Sequence, residues 1–80
     1  MKQQGNCITG DPILLENFTS GWHSVKLHPA LFYRREDSIK TILKNSRGFY
    51  VEIDMGEYVL IKFSEKDDLT EFYRLNNEYI

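Results

Sequence analysis

The side chains able to do chemistry in this chain are few and far apart. Its two imidazoles, His23 and His28, stand five positions apart in a segment that reads as extended, and its one thiol, Cys7, lies near the N-terminus. Metal binding needs ligands that converge, and an odd separation in a strand sends side chains to opposite faces. No zinc spacing follows from these three residues. Nucleophilic catalysis needs a thiol or hydroxyl held against a base, and the chain has no Gly-x-Ser-x-Gly elbow to do so. The acid pairs Glu36-Asp37 and Asp67-Asp68 suit a turn and a helix start rather than acid/base work, because adjacent carboxylates diverge. Glycines at 5, 10, 21, 48 and 56 are too scattered for a phosphate-cradling loop. The expectation is a non-enzymatic protein with no catalytic, metal-binding or cofactor-binding residues and no cofactor.

Composition narrows the class. With 80 residues the chain has room for one core, and a single domain over 1–80 is expected. Hydrophobic residues make up 41% and aromatic residues 14%, enough large side chains to offset the entropy of ordering. A net charge of −2 provides no general attraction to nucleic acid or to an anionic membrane. One cysteine permits no intrachain disulfide. With no apolar run of signal-peptide or membrane-span length, the expected place is cytoplasmic, without a membrane partner.

The elements that would hold any surface residue in place read unevenly along the chain. Residues 1–11 mix Gly, Asn, Gln and Asp and read as an irregular arm before Asp11-Pro12. Ile13-Leu14-Leu15 suits a short strand or a core-plugging turn. From Gly21 to His28, Trp22, Ser24 and Lys26 alternate with His23, Val25 and Leu27, a strand that Pro29 ends. Leu31-Phe32-Tyr33 reads as a brief apolar segment. Ser38 to Lys44, with Ile39, Ile42 and Leu43, suits a helical turn or a strand equally.

The strongest pattern is a hairpin over 49–63. Phe49, Val51, Ile53 and Met55 alternate with Tyr50, Glu52 and Asp54; beyond a turn at Met55-Gly56, Val59, Ile61 and Phe63 alternate with Tyr58, Leu60 and Lys62. Gly56 supplies the positive φ that such a turn asks for. Read this way, the hairpin has one apolar face. Ser64 sits where a helix N-cap belongs, and a C-terminal helix over about 65–78 follows, with Leu69, Phe72, Tyr73, Asn76, Tyr79 and Ile80 on one face. The fold class is α+β: a small antiparallel sheet of three to five strands packed by one C-terminal helix.

From Asp37 to Phe72 the order of features is similar to passages of LytTR-type DNA-binding domains and of short FlbD-like flagellar proteins. The likeness rests on Ile39 and Ile42, Gly56 at the turn and Ser64 at the cap. It implies an Ile-x-x-Ile strand, a hairpin and a capped helix, and carries no site residues.

Surface chemistry therefore decides the functional expectation. Trp22, Tyr50, Tyr58, Tyr73 and Tyr79 are the candidate partner-binding anchors, since one sheet face and one helix cannot hide them all. They point to an interaction module that binds and modulates or inhibits a larger protein, as small phage and mobile-element proteins do. The alternative is a nucleic-acid-associated regulator using Arg34, Arg35, Lys40, Lys44 and Arg47, a basic segment next to Phe32 and Tyr33. A homodimer paired through a free hairpin edge is a third reading.

Overall fold

The computed structural model describes residues 2–4 and 6–75, the first three as a backbone path. In chain order the elements are β1 (Lys2–Gln4), β2 (Cys7–Thr9), α1 (Pro12–Phe18), β3 (His23–Leu27), α2 (Pro29–Arg34), α3 (Glu36–Lys44), β4 (Tyr50–Asp54), β5 (Val59–Phe63) and α4 (Lys66–Leu75). The strands form one sheet in the order β1-β2-β4-β5-β3. It is mixed and mostly antiparallel: only β2 against β4 runs parallel, through Cys7 and Tyr50. The α+β class and the C-terminal helix agree with the sequence pattern, and three further helices join them.

Each added helix is started by a short-range device that leaves little trace in hydrophobic periodicity. Asp11 caps α1 by accepting from the amides of Ile13 at 2.9 Å and Leu14 at 3.4 Å, with Pro12 in the first turn. At its other end the buried Thr19 hydroxyl donates to the Leu15 carbonyl at 2.6 Å. His28 caps α2 through Nδ1, which accepts from Ala30 N at 3.1 Å, and Pro29 follows it. Glu36 and Asp37 occupy the first turn of α3 and Lys44 its last, the charge order that a helix dipole favours. Ile13-Leu14-Leu15, Leu31-Phe32-Tyr33 and Ile39/Ile42 are thus helical. The strand at Ile39 and Ile42 that the resemblance implied is α3.

The N-terminal arm is also a correction. β1 and β2 pair antiparallel, and β2 is tied onto the sheet by Tyr50 N donating to the Asn6 carbonyl at 2.9 Å. Three-residue strands are too short to show alternation.

The hairpin forms as read, with Gly56 at φ +88° and its amide bound by the Asp54 carboxylate at 2.9 Å. Its faces do not. The connection of residues 55–58 pairs Tyr50 with Phe63, Val51 with Lys62, Glu52 with Ile61, Ile53 with Leu60 and Asp54 with Val59. Directly opposed residues share a face, so Val59, Ile61 and Phe63 lie with Tyr50, while Val51 and Ile53 lie with Leu60. Both faces are apolar and both are covered. One holds the larger core, with Val25, Leu27, Phe32, Ile39, Leu43 and Phe72. The other packs Leu15 of α1 against Val51, Ile53 and Leu60, with Ile8, Trp22 and Tyr58 around it. The hairpin edges are not free either, because β4 pairs β2 and β5 pairs β3.

A carboxylate clamps α4 to the loop before β4. Asp68, only 7% exposed, accepts from the amides of Arg47 at 2.9 Å and Gly48 at 2.8 Å. Ser64 adds a bond from Phe49 N to its hydroxyl at 2.8 Å. Gly48 is required by this closeness: a Cβ there would stand 2.5 Å from Ser64 Oγ and 2.5 Å from Glu65 Cγ. Asp68→Ala strands two amides and is expected to cost about 3 kcal/mol, a fall of roughly 10–20 °C in Tm for a domain of this size. Gly48→Ala should lower Tm as well; calorimetry that finds either variant melting with the parent would show that this clamp is not holding α4.

Candidate functional site

Two surfaces carry the side chains of interest, one on each side of the sheet. On the α2–α3 side, Cys7, Tyr50 and Glu52 come together beneath Lys40 and Glu36. The Tyr50 hydroxyl and the Cys7 thiol are close enough to influence each other's ionisation. Burial and the Glu52 charge push the Cys7 thiol up, while burial, with Cys7 and Glu52 adding to it, pushes Tyr50 up to about 12. Glu52 is itself raised, chiefly by burial, with Lys40 opposing the shift and Glu36 adding to it. Every group in this cluster is therefore biased toward keeping its proton, the reverse of what an activated thiolate or phenolate needs. Nearby, the exposed Tyr33 hydroxyl donates to Asp54 Oδ2 at 2.9 Å.

The opposite side is apolar and aromatic. Of the large residues of α1 only Leu15 is buried; Ile13 is 72% exposed, Leu14 58% and Phe18 51%. Phe18 meets Trp22 edge to face, ring centroids 5.8 Å apart. From Trp22 the alternation of β3 carries Ser24 and Lys26 along the same face, and the Lys26 ammonium stands 4.8 Å over the Tyr58 ring. Helix α1 lies over β4, so the β5–β3 part of this face, with Lys26 and Lys62, extends beside it as a shelf.

The residues expected at an interface are dispersed by the fold. Tyr50, 6% exposed, belongs to the larger core and is not available to a partner. Trp22 and Tyr58 are half-buried against the smaller core. Tyr73, at 40% exposure, projects from α4, whose buried positions are Asp68 and Phe72. Tyr79 lies outside the described residues. Ile13, Leu14 and Phe18 were missed; their signal was the cap at Asp11-Pro12 before an apolar triplet, read as a strand or turn.

The basic segment is interleaved with acids. Arg34 ends α2, Arg35 joins it to α3, and Lys40 and Lys44 follow one turn apart on α3. Lys40 Nζ lies 3.4 Å from Glu36 Oε2, and the Glu71 carboxyl is held low chiefly by its hydrogen bond from Arg74, with a smaller contribution from the charge of Arg47. A groove of about 630 Å³ opens between α3 and α4, floored by Ile42, Leu43, Phe63 and Phe72 and rimmed by Arg47, Asp67 and Glu71. Its rim carries both signs of charge. Among the described residues no helix is long and apolar enough to cross a membrane.

Comparison with protein families, with characterised proteins and with solved structures finds no match for this chain.

Glu52 yields a pH-dependent test. Its folded pKa is raised, so its contribution to stability is full below the unfolded value and is lost as pH rises through the folded one. Glu52→Gln is accordingly expected to raise Tm at pH 7, with the gain shrinking toward zero as pH falls below about 4.3. A gain that persists in acid would assign the effect to packing and not to the buried charge.

Proposed function

We propose that this protein is a non-enzymatic interaction module that binds a larger protein and modulates it through the outer face of α1 and the aromatic strip beside it. The observation that carries this reading is the exposure of Ile13, Leu14 and Phe18 together on one seven-residue helix that buries a single large side chain. Leu14 and Phe18 are four residues apart, so they present one stripe, and Phe18 extends it to Trp22. A helix this short is unstable alone, yet Asp11, Pro12 and Thr19 each reinforce its ends. Apolar side chains displayed on a reinforced element, next to half-buried aromatics, have the composition of an interface centre.

Capture by the tagged full chain from source lysate, treated with nuclease, tests the proposal. Leu14→Ser with Phe18→Ser is expected to abolish recovery of a stoichiometric protein while the circular dichroism melt stays close to the parent, because both side chains are largely solvent-exposed. Tyr73→Ser, on the far side of the sheet, should leave recovery intact. Retention by the α1 variant, or loss only with Tyr73→Ser, would refute the assignment.

A further inference from the structure

The two faces of the sheet are covered unequally. Helices α2, α3 and α4 contribute Phe32, Ile39, Leu43 and Phe72 to the larger core, whereas the other face has α1 alone, seated over β4. Beside α1, β5 and β3 carry Lys62, Ser24 and Lys26 around the buried Leu60. The register sets Ser24 opposite Lys62 and Lys26 opposite Leu60, so the two lysines occupy diagonal positions on one face. Among the described residues neither has a carboxylate within ion-pair distance, although Glu36–Lys40 and Glu71–Arg74 pairs form elsewhere. Like charges so placed repel, and an anion joining them would relieve that repulsion.

We infer that the shelf beside α1 takes an acidic amphipathic helix of the partner, whose apolar side chains pack on Leu14, Phe18 and Trp22 and whose carboxylates meet Lys26 and Lys62. This inference rests on the interaction reading above and specifies the chemistry of its partner. The geometry favours a helix because one lying next to α1 would complete the thin layer, and helices in contact lie about 8–10 Å apart. Charge complementarity favours acid: the shelf carries two ammonium groups with, among the described residues, no carboxylate in ion-pair contact, while the chain as a whole is net negative. Aliphatic Ile13 and Leu14 have no use to a stacking nucleobase, which sets a nucleic-acid occupant second.

The test is fluorescence anisotropy with three probes: a synthetic helical peptide with leucine and phenylalanine on one face and glutamate on the other, its lysine-faced counterpart, and an oligothymidylate. The glutamate-faced peptide is expected to bind at least about tenfold more tightly than the lysine-faced one, with affinity falling as salt rises. Lys26→Glu with Lys62→Glu should invert that preference, Lys26→Gln with Lys62→Gln should erase it, and Leu14→Ser with Phe18→Ser should weaken both peptides alike. Equal binding of the two peptides, no binding of either, a preference untouched by the lysine variants, or tighter binding of the oligothymidylate would each overturn the acidic-helix inference. The lysate capture separates this from the parent proposal: if the α1 variant loses its protein there while the lysine variants do not, the interaction reading stands and only the acidic partner falls.

Discussion

The register between β4 and β5 is the constraint on which the rest of the molecule depends. A connection of residues 55–58 between the strands pairs even-numbered residues of one with odd-numbered residues of the other. Apolar side chains that alternate in the same phase along both strands are thereby split between the two faces of the sheet. Ile61 and Phe63 go one way, Val51 and Ile53 the other. A sheet that is apolar on both sides cannot leave one of them to water. Cover on both faces follows from that division, and α2, α3 and α4 supply it on one side and α1 on the other.

The loop between α3 and β4 is where distant parts of the chain are fastened together. Its residues Arg47 and Gly48 give their amides to Asp68 of α4, its Ser46 carbonyl accepts from the Asn6 side chain at 2.6 Å, and Phe49 exchanges hydrogen bonds with Ser64. Backbone groups of an irregular segment must find partners when they leave water. Here those partners come from the N-terminal hairpin and from the C-terminal helix, so one short loop joins both ends of the chain to the middle. The absence of a side chain at Gly48 is what lets α4 approach closely enough for Asp68 to reach.

Cys7, Tyr50 and Glu52 lie on one side of the sheet and the exposed Ile13, Leu14 and Phe18 of α1 on the other, and that separation shapes the functional reading. Cys7, Tyr50 and Glu52 are drawn beneath α3, where burial holds protons on them. On the other side, a helix contributes one leucine to the core and displays Ile13, Leu14 and Phe18 outward. Beside it stand Lys26 and Lys62, which among the described residues have no carboxylate in ion-pair contact. The side covered by α1 alone is thus also the side on which Ile13, Leu14 and Phe18 remain in solvent while Leu15 anchors the helix.

Local pattern by itself determined the hairpin at 49–63, the need for glycine at 56, a strand within Gly21 to His28 with Val25 and Leu27 on the face away from Trp22, the C-terminal helix and the α+β class. Each of these depends on alternation, helical spacing or turn chemistry within a few residues. Helices α1 and α2 were within reach of the same reasoning through Asp11-Pro12 and His28-Pro29, but three apolar residues in a row carry no period. What only the tertiary structure decided was which apolar face meets which. The pairing of Tyr50 with Phe63 buried a tyrosine that sequence alternation had placed on the surface, the N-terminal strands docked beside β4, and Asp68, read as a helix-start charge, became the acceptor for a loop. Those outcomes depend on cross-strand register and on partners twenty or more residues away, and no local periodicity encodes a register set by the length of a turn.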